Sequence, residues 1–293
     1  EGEGGKKEKV ERFDVVVVCN GHYSEPFLPS VPGAASFPGL QVHSHNYREN
    51  TSFEGKRVLV VGASASGEDI SREIALVASE VLVSARSFTV AAPTQTNIAR
   101  KPPPSELCDS GLVKFEDGSD SGGNVDAIVY CTGYKYHFPF LEGTDVVSVT
   151  DNLIHPLYLH LFPPSYPSIA FIGIPAKVIP FPQFEAQALL AARVWSRAAS
   201  LPAQEEMERA VAAEQAAKWR KGVPTKYYHV QGAEMFEYND MLLAHSGLPP
   251  LPTWRRAMFE ESQYNKKAFP DSYRDAPLPD RQHYERLLES AVP

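Results

Sequence analysis

Six small residues between Gly62 and Gly67 have the composition and spacing of a turn that approaches a phosphate group. The run reads Gly-Ala-Ser-Ala-Ser-Gly, with Ser64 at the second glycine position of the usual GxGxxG pattern. Gly62 permits a tight turn, a small residue at 64 lets the backbone approach a pyrophosphate, and Gly67 allows close helix–strand packing. The run predicts a dinucleotide site, with Ser66 as a further binding residue. The alternative is a serine-rich turn of an unrelated α/β protein.

A cation follows this turn at the position that selects between the two nicotinamide dinucleotides. The segment Val83–Ser87 ends a predicted strand with Arg86 and two hydroxyl groups, and it contains no acid. An NAD site normally has Asp or Glu here, because a carboxylate binds the ribose hydroxyls. A guanidinium instead suits the 2′-phosphate of NADP, so we predict NADP with Arg86 as its charge partner. The alternative is a solvated arginine at a strand end.

The elements that must position these residues form a predicted βαβ unit. A short buried strand covers Val58–Val61, and a helix with apolar residues on one face begins at Glu68. A second strand, Glu80–Arg86, follows directly and completes the unit. The Pro- and Thr-rich stretch Thr89–Glu106 predicts a surface excursion. We expect a hairpin turn at Asp117-Gly118 after it.

The remaining periodicity predicts further strands and two helices. Uninterrupted apolar runs in Phe13–Gly21 and Val125–Tyr134 are typical of parallel strands buried on both faces. Another strand is predicted at Ser168–Ile174. The predicted helices are about Phe184–Ala199, with Leu189, Ala192 and Trp195 at core spacing, and Ala203–Arg220. The final thirty or so residues lack sustained periodicity and predict a loosely packed tail.

Composition excludes several classes of protein. The 293 residues are 43% hydrophobic and 22% charged, which is ordinary for a globular chain. A formal net charge of -8 argues against nucleic-acid binding. No apolar run approaches the roughly 20 residues that cross a bilayer, so we predict no transmembrane segment. Three scattered cysteines predict neither a disulfide framework nor a metal site, and favour a reducing, cytoplasmic location.

Several motifs, in the right order, resemble the flavin-containing monooxygenase family. The segment Phe37–Tyr47 contains the pattern FxGxxxHxxxY, which identifies that family, just upstream of the glycine turn. Val18–Pro29 and Tyr130–Leu141 resemble the two linker strands between its FAD and NADPH domains. The resemblance covers about residues 12 to 260. Within that family, these segments most resemble the plant glucosinolate S-oxygenase-like branch.

The resemblance implies an α/β fold of two dinucleotide-binding domains, with a Rossmann-like NADPH domain inserted in an FAD domain. The expected divisions are 1–39 for a remnant of the FAD domain, 40–124 for the NADPH domain, and 125–293 for the rest of the FAD domain and a tail. The family's N-terminal FAD turn has no counterpart here, and the chain begins with Glu1 rather than Met. We therefore expect an N-terminally truncated sequence that cannot bind FAD stably by itself.

That expectation has a structural corollary for two apolar strands. Asp14–Cys19 and Ile128–Cys131 are expected to pair inside the sheet of the FAD domain. Without their neighbouring strands they would expose apolar edges, which is an aggregation risk.

The family chemistry implies NADPH and FAD as cofactors and O2 as the oxidant. NADPH reduces the flavin, and one oxygen atom passes to a soft sulfur or nitrogen nucleophile, such as a thioether or an amine. Asn20 matches the family asparagine near the flavin and the NADP amide, so it is the candidate catalytic residue. Thr132 and Gly133, in the second linker, are further candidate cofactor contacts. The alternative for Asn20-Gly21 is a plain turn.

Two other functions stay open from the sequence. One is an NADPH-binding remnant without catalysis, in which the truncated chain is inactive. The other is a different two-dinucleotide flavin oxidoreductase, such as a disulfide reductase. The lack of a CxxC pair counts against the second function, because that chemistry needs paired redox cysteines.

Overall fold

The computed structural model describes residues 10–275 and 279–290. The chain divides into two compact units. The first, called the helical unit, combines the chain up to His22 with Tyr136–Leu251. The second, called the sheet unit, combines Tyr23–Lys135 with the chain from Pro252 onward.

The strands are, in chain order, β1 (Val16–Val18), β2 (Glu25–Pro26), β3 (Leu40–His43), β4 (Arg57–Val61), β5 (Glu80–Ser84), β6 (Ile98–Lys101), β7 (Pro104–Leu107), β8 (Val113–Phe115), β9 (Ala127–Tyr130), β10 (Tyr134–Lys135), β11 (Ser148–Thr150), β12 (Leu153–His155) and β13 (Ile169–Phe171). The α-helices are α1 (Ala65–Ala75), α2 (Pro180–Trp195), α3 (Gln204–Arg220), α4 (Met235–His245), α5 (Trp254–Ala268) and α6 (Arg281–Ser290). Short 3-10 turns cover Thr51–Phe53, Pro139–Leu141, Thr225–Tyr227 and Gly232–Glu234.

Five parallel strands form the main sheet of the sheet unit, in the order β3-β9-β4-β5-β6. Successive residues of β4 alternate between two apolar cores, with Val58 and Val60 in one and Leu59 and Val61 in the other. This alternation is the result expected of a strand covered on both faces. The predicted βαβ unit is confirmed as β4, α1 and β5. The helix begins at Ala65, three residues before the predicted start.

Two strand predictions in the sheet unit were wrong. The segment Thr89–Glu106 is not only a surface excursion, because it contains β6 and β7. Among the residues that the structure describes, β6 pairs with β5 and has no second neighbouring strand, so polar residues can occupy this edge without being buried. The strand near Ile128 does not lie in a separate FAD-domain sheet. As β9 it lies between β3 and β4, in the middle of the main sheet. The predicted turn at Asp117-Gly118 is confirmed, since Gly118 donates its N–H to Phe115 at 3.1 Å.

In the helical unit, β1 pairs in parallel with β13. The prediction that this apolar run is buried on both faces was wrong. Val16 and Val17 are 45% and 47% exposed, and Val18 alone of the strand is buried. The reason is that β1 has one neighbouring strand among the residues described, and its flanking valines have no second layer over them.

The second helix of the predicted pair, α3, is confirmed, whereas the buried face of α2 differs from the prediction. Leu189 is 37% exposed and Ala192 is exposed, while Leu190 lies in the core. Two glutamines, Gln183 and Gln187, are fully buried on the same side. Their amides interrupt the apolar periodicity from which the core face was predicted, so Leu189 and Ala192 were wrongly assigned to the core, whereas Trp195 does pack against it.

The final thirty or so residues, predicted as a loosely packed tail, include the end of α5 and α6, and α5 has no buried residue. A turn covers Pro270–Asp275 after α5. The predicted domain boundaries after residues 39 and 124 both fall inside the sheet unit. That unit consists of Tyr23–Lys135 and the chain from Pro252 onward. Which cofactor each predicted domain binds stays a prediction. Within the described ranges, no helix has both the length and the apolar character needed to cross a bilayer.

Candidate functional site

The carboxyl edge of the main sheet gathers most of the predicted site residues. Parallel strands end at the same edge of a sheet, so the turn after β4, Arg86 after β5, and Cys131–Gly133 after β9 lie along one border. The chain leaves β4 toward β5 on one side, while β9 and β3 occupy the other side. Such a reversal of strand order makes a crevice, and ligands of open α/β sheets bind there.

Both glycines of the turn are required by close backbone approaches. Gly62 has φ +111°, a conformation that disfavours side chains, and a Cβ there would overlap the Cys131 carbonyl oxygen. A Cβ on Gly67 would overlap the carbonyl oxygen of Gly62. The roles predicted for these two glycines, a tight turn and close helix packing, therefore agree with the geometry. Ser64 and Ser66 are exposed at the same turn.

The amino terminus of α1 presents hydrogen-bond donors beside this turn. The Glu68 N–H donates to the Ser64 carbonyl at 2.9 Å, so the N–H groups of Ala65, Ser66 and Gly67 have no partner within the helix. The residue before the helix makes no side-chain cap. Free amides and the positive end of a helix dipole together favour an anion at this position.

Near the end of β5, the arginine and the first serine of the predicted phosphate-binding segment lie in different environments. Arg86 is exposed. Ser84 is buried, and its hydroxyl donates to the Pro102 carbonyl at 2.6 Å. Of the two hydroxyl groups in this segment, that of Ser84 is therefore bonded inside the sheet unit, whereas Ser87 is exposed.

Two cations on β6 were missed by the sequence reasoning. Arg100 and Lys101 are the register partners of Val83 and Ser84 on β5, so they lie beside the strand that leads to Arg86. Arg100 places its guanidinium 4.5 Å from the centre of the Phe88 ring. The strand β6 has four residues and lies in a proline-rich stretch, so the sequence pattern indicated a loop there.

The second linker is bonded to the first through the antiparallel pair of β2 and β10 and through Thr132 and Gly133. The Gly133 carbonyl accepts from the Phe27 N–H at 2.9 Å and from His43 Nε2 at 3.0 Å. Thr132 donates its hydroxyl to the Phe27 carbonyl at 2.5 Å. These bonds give Thr132 and Gly133 a structural role at the edge of the sheet. Their predicted contact with a cofactor stays a prediction.

His43 is fixed as a neutral ring with its proton on Nε2. The His45 backbone N–H donates to His43 Nδ1 at 3.0 Å, so Nδ1 is an acceptor and Nε2 must be the donor to Gly133. Burial lowers the pKa of His43, although the bond to Gly133 acts in the other direction. The ring also packs edge-on against Tyr134, with centroids 5.1 Å apart. His43 therefore joins the family motif to the second linker.

The other residues of the motif Phe37–Tyr47 have packing roles. Gly39 has no room for a side chain, since a Cβ would lie 2.6 Å from the Phe37 ring and 2.8 Å from the Asp126 carbonyl oxygen. Tyr47 stacks on Phe53 at 6.0 Å. These motif residues thus stabilise β3 and the segment that leads to β4, and their side chains are used in packing rather than in chemistry.

Asn20, the predicted catalytic residue, lies in the helical unit, whereas the turn and Arg86 lie in the sheet unit. Its side chain is exposed, and Nδ2 donates to the His137 carbonyl at 3.4 Å. The following Gly21 has φ +71°, and a Cβ there would meet no atom within 4 Å. The backbone at this corner is therefore open to a neighbouring group.

The cysteines do not form a redox pair. All three are free thiols, and burial raises the pKa of Cys131 to about 12. A thiol with so high a pKa is a poor nucleophile. Dithiol chemistry of the disulfide reductase type therefore has no support at this edge of the sheet.

Comparison with known proteins agrees with this architecture. Residues 2–97 and 95–254 match the family described as flavin-binding monooxygenase-like. The flavin-containing monooxygenase FMO GS-OX-like 4 of Arabidopsis thaliana is 41% identical over 278 residues, which are 92% of this chain and 61% of that protein. FMO GS-OX-like 2 of the same plant is 42% identical over 90% of this chain. The chain spans about three fifths of the length of the curated relatives it matches.

Solved structures give the same result. S-allyl-L-cysteine S-oxygenase from Allium sativum superimposes with a TM-score of 0.86 at 40% identity, covering 95% of this chain and 64% of that one. Tmm from Pelagibacter sp. strain HTCC7211 superimposes with a TM-score of 0.76 at 25% identity, covering 90% and 59%. These matches confirm the α/β fold class, and the family match extends over most of the sequence. The chain belongs to the flavin-binding monooxygenase-like family.

Proposed function

We propose that this chain serves an NADPH-dependent monooxygenation of soft sulfur or nitrogen nucleophiles, with FAD as the flavin and O2 as the oxidant. The observation that carries the proposal is the glycine turn between β4 and α1, where N–H groups without a partner in the helix lie at the carboxyl edge of the parallel sheet. The similarity to S-allyl-L-cysteine S-oxygenase from Allium sativum supports a thioether as the substrate class.

The sheet unit supplies a fit for the nicotinamide dinucleotide. The amides of Ala65–Gly67 would hold the pyrophosphate, and Gly62 and Gly67 allow the close backbone packing that forms this turn. Arg86 is exposed one strand away, where the 2′-phosphate of NADP would need a cation. These groups bind and orient the dinucleotide, and none of them needs to exchange a proton.

The helical unit supplies the candidate contact to the flavin. The flavin, when bound, supplies the oxygen activation and the oxidising group. Asn20 can offer an amide donor and an amide acceptor from the end of β1, at a corner that Gly21 leaves open. Its role is to hydrogen-bond and to orient. No side chain of this chain is required as an acid, a base or a nucleophile.

Ser66→Asp tests the anion site directly. An aspartate at the second position of α1 suits a helix amino terminus, so the fold is retained, but its charge repels a pyrophosphate. We expect NADPH affinity to fall at least about tenfold, or ~1.4 kcal/mol. The measurement is a fluorescence titration of the whole chain with NADPH. Ser105→Asp is the matched control, because Ser105 is exposed on β7 and lies outside the turn.

Two outcomes would contradict the proposal. Saturable binding that is equal in wild type and Ser66→Asp would remove the turn as the anion site. Saturable NADPH binding without substrate-dependent O2 uptake from a thioether or an amine, in a chain that a flavin titration shows to hold FAD, would instead identify a nucleotide-binding chain without catalysis. The second measurement uses an oxygen electrode, so the two parts of the proposal fail separately.

A further inference from the structure

Asp271, just after α5, joins two parts of the sheet unit that are far away in sequence. One carboxylate oxygen accepts from Arg72 Nε on α1 at 2.6 Å. The other accepts from the Thr94 N–H at 3.0 Å and from the Thr94 hydroxyl at 2.9 Å. The pair with Arg72 is largely shielded, with 12% and 26% of the two side chains exposed. Burial alone would raise the pKa of Asp271, but the bonds from Arg72 and Thr94 keep it below its ordinary value.

Thr94 belongs to the loop 85–97, which connects β5 to β6 and begins with Ala85 and Arg86. From one side, Arg100 on β6 stacks on Phe88 and donates to the carbonyls of Val90 and Ala91 at 3.0 and 2.7 Å. From the other side, the Lys267 carbonyl accepts from the Ala91 N–H at 3.1 Å. The loop is therefore fixed both by its own sheet and by the end of α5.

The same C-terminal segment also holds α1. Arg72 donates to the Glu68 carboxylate at 2.5 Å, so the Asp271 bond extends a buried network within the helix. Arg274 donates to both carboxylate oxygens of Asp69, at 2.9 and 2.7 Å. That second pair is 58% and 40% exposed and contributes less, because water screens exposed pairs. Asp271 thus bonds to α1 and to the loop at once, in addition to the direct bonds that Gln95 and Asn97 of the loop donate to carbonyls of α1 and of the turn after it.

We propose that Asp271 is a positioning residue for recognition of the 2′-phosphate of NADP, because it fixes the loop that carries Arg86 against the helix that receives the pyrophosphate. This inference rests on the proposed function. An arginine contributes most to phosphate binding when its backbone is already ordered, since otherwise the ordering lowers the affinity. NADH has no 2′-phosphate, so its binding does not use Arg86 and is insensitive to the loop.

The test compares NADPH and NADH binding to the whole chain carrying Asp271→Asn. We expect NADPH affinity to fall about fivefold while NADH affinity stays within about twofold, so that discrimination between the two nucleotides falls. Asp275→Asn is the matched control. It removes the same charge from a carboxylate that is four residues further along the chain and outside this network. Asp271→Glu should restore part of the discrimination. Both affinities are measured by titration, and the thermal midpoint is recorded for each variant.

Thr94→Val provides a second variant if Asp271→Asn does not fold. It removes the hydroxyl bond to Asp271 and leaves the Arg72 pair in place, so we expect a smaller loss in the same direction. Equal losses for NADPH and NADH, or an unchanged ratio, would show that Asp271 has only a general structural role. A wild-type chain that binds neither nucleotide would overturn the proposed function itself, and this inference with it.

Discussion

At the scale of single residues, neighbouring side chains at the end of β5 differ in what they can bind. The Ser84 hydroxyl is committed to a backbone carbonyl inside the sheet unit. Arg86, two residues on, is exposed and follows the last strand residue. A 2′-phosphate would therefore meet the guanidinium and not the buried hydroxyl. Charge-assisted bonds of this kind are stronger than neutral ones, so most of the proposed preference for NADP is expected from Arg86.

Arg86→Gln should separate the two nicotinamide nucleotides. Removing one charged contact to a phosphate is expected to weaken NADPH binding by about tenfold or more, or ~1.5–3 kcal/mol. NADH binding should stay unchanged, because that nucleotide has no phosphate at this position. Arg209→Gln, on the exposed face of α3, controls for the loss of charge. If NADH affinity fell in parallel, Arg86 would not be reading the 2′-phosphate.

At the scale of elements, α2 shows how a polar network can occupy the middle of an apolar core. Gln187 is fully buried, accepts from the Gly173 N–H at 2.9 Å and donates to the Tyr238 hydroxyl at 2.9 Å. A buried amide with both ends bonded avoids the cost of desolvation and specifies one register of packing. The helix is therefore oriented by its glutamines, and Leu190 rather than Leu189 enters the core.

A pair of alanine substitutions checks this orientation. Leu190→Ala should lower the free energy of unfolding by about 2–5 kcal/mol, because it leaves a cavity beside α4. Leu189→Ala removes the same atoms from a partly exposed position and should cost less than about 1 kcal/mol. Chemical denaturation monitored by circular dichroism gives both values. Equal effects from the two substitutions would contradict the face of α2 described here.

At the scale of the whole molecule, a chain of buried bonds ties the helical unit together across long stretches of sequence. The Ile154 N–H donates to His229 Nε2 at 3.0 Å, so His229 carries its proton on Nδ1 and donates to His160 Nδ1 at 2.8 Å. His160 Nε2 then donates to Glu214 at 3.0 Å, where Lys218 also binds at 2.9 Å. Each ring nitrogen of His160 and His229 is either a donor or an acceptor in this arrangement. Protonating either ring would turn its acceptor nitrogen into a donor and break a hydrogen bond.

Acid should therefore destabilise the helical unit in two steps. Burial holds the pKa of His229 well below its ordinary 6.5, so the unfolded chain takes up a proton that the folded chain does not as pH falls below 6.5. The expected loss is about 1.4 kcal/mol per pH unit from this group. Glu214, although burial opposes its charge, is held at a pKa of about 2 by His160 and Lys218, so its contribution is lost below pH 4.5.

The measurement is the free energy of unfolding from pH 8 to pH 4, compared between wild type and His229→Gln. The variant will be less stable at neutral pH, but its stability should vary less between pH 6.5 and pH 5. An equally steep acid limb in the variant would assign the pH dependence to other histidines, of which His22, His43 and His155 also have lowered pKa values.

The sequence by itself determined the features that depend on residues close together in the chain. The glycine turn and the strand and helix around it follow from local spacing, and a family motif directly upstream identified the family. Helix α3 and the turn at Asp117-Gly118 were also predictable, because periodicity and turn chemistry act within a few residues. For the same reason, the candidate anion site and Arg86 could be named without coordinates.

Only the tertiary structure decided which distant segments meet. The place of β9 between β3 and β4, the burial of Ser84 and the exposed valines of β1 all depend on strand neighbours that no local pattern encodes. Asp271 reaches Arg72 across a separation of 199 residues. The physical reason is that burial and hydrogen-bond pairing depend on which surfaces pack together. Local propensity contains no information about that packing.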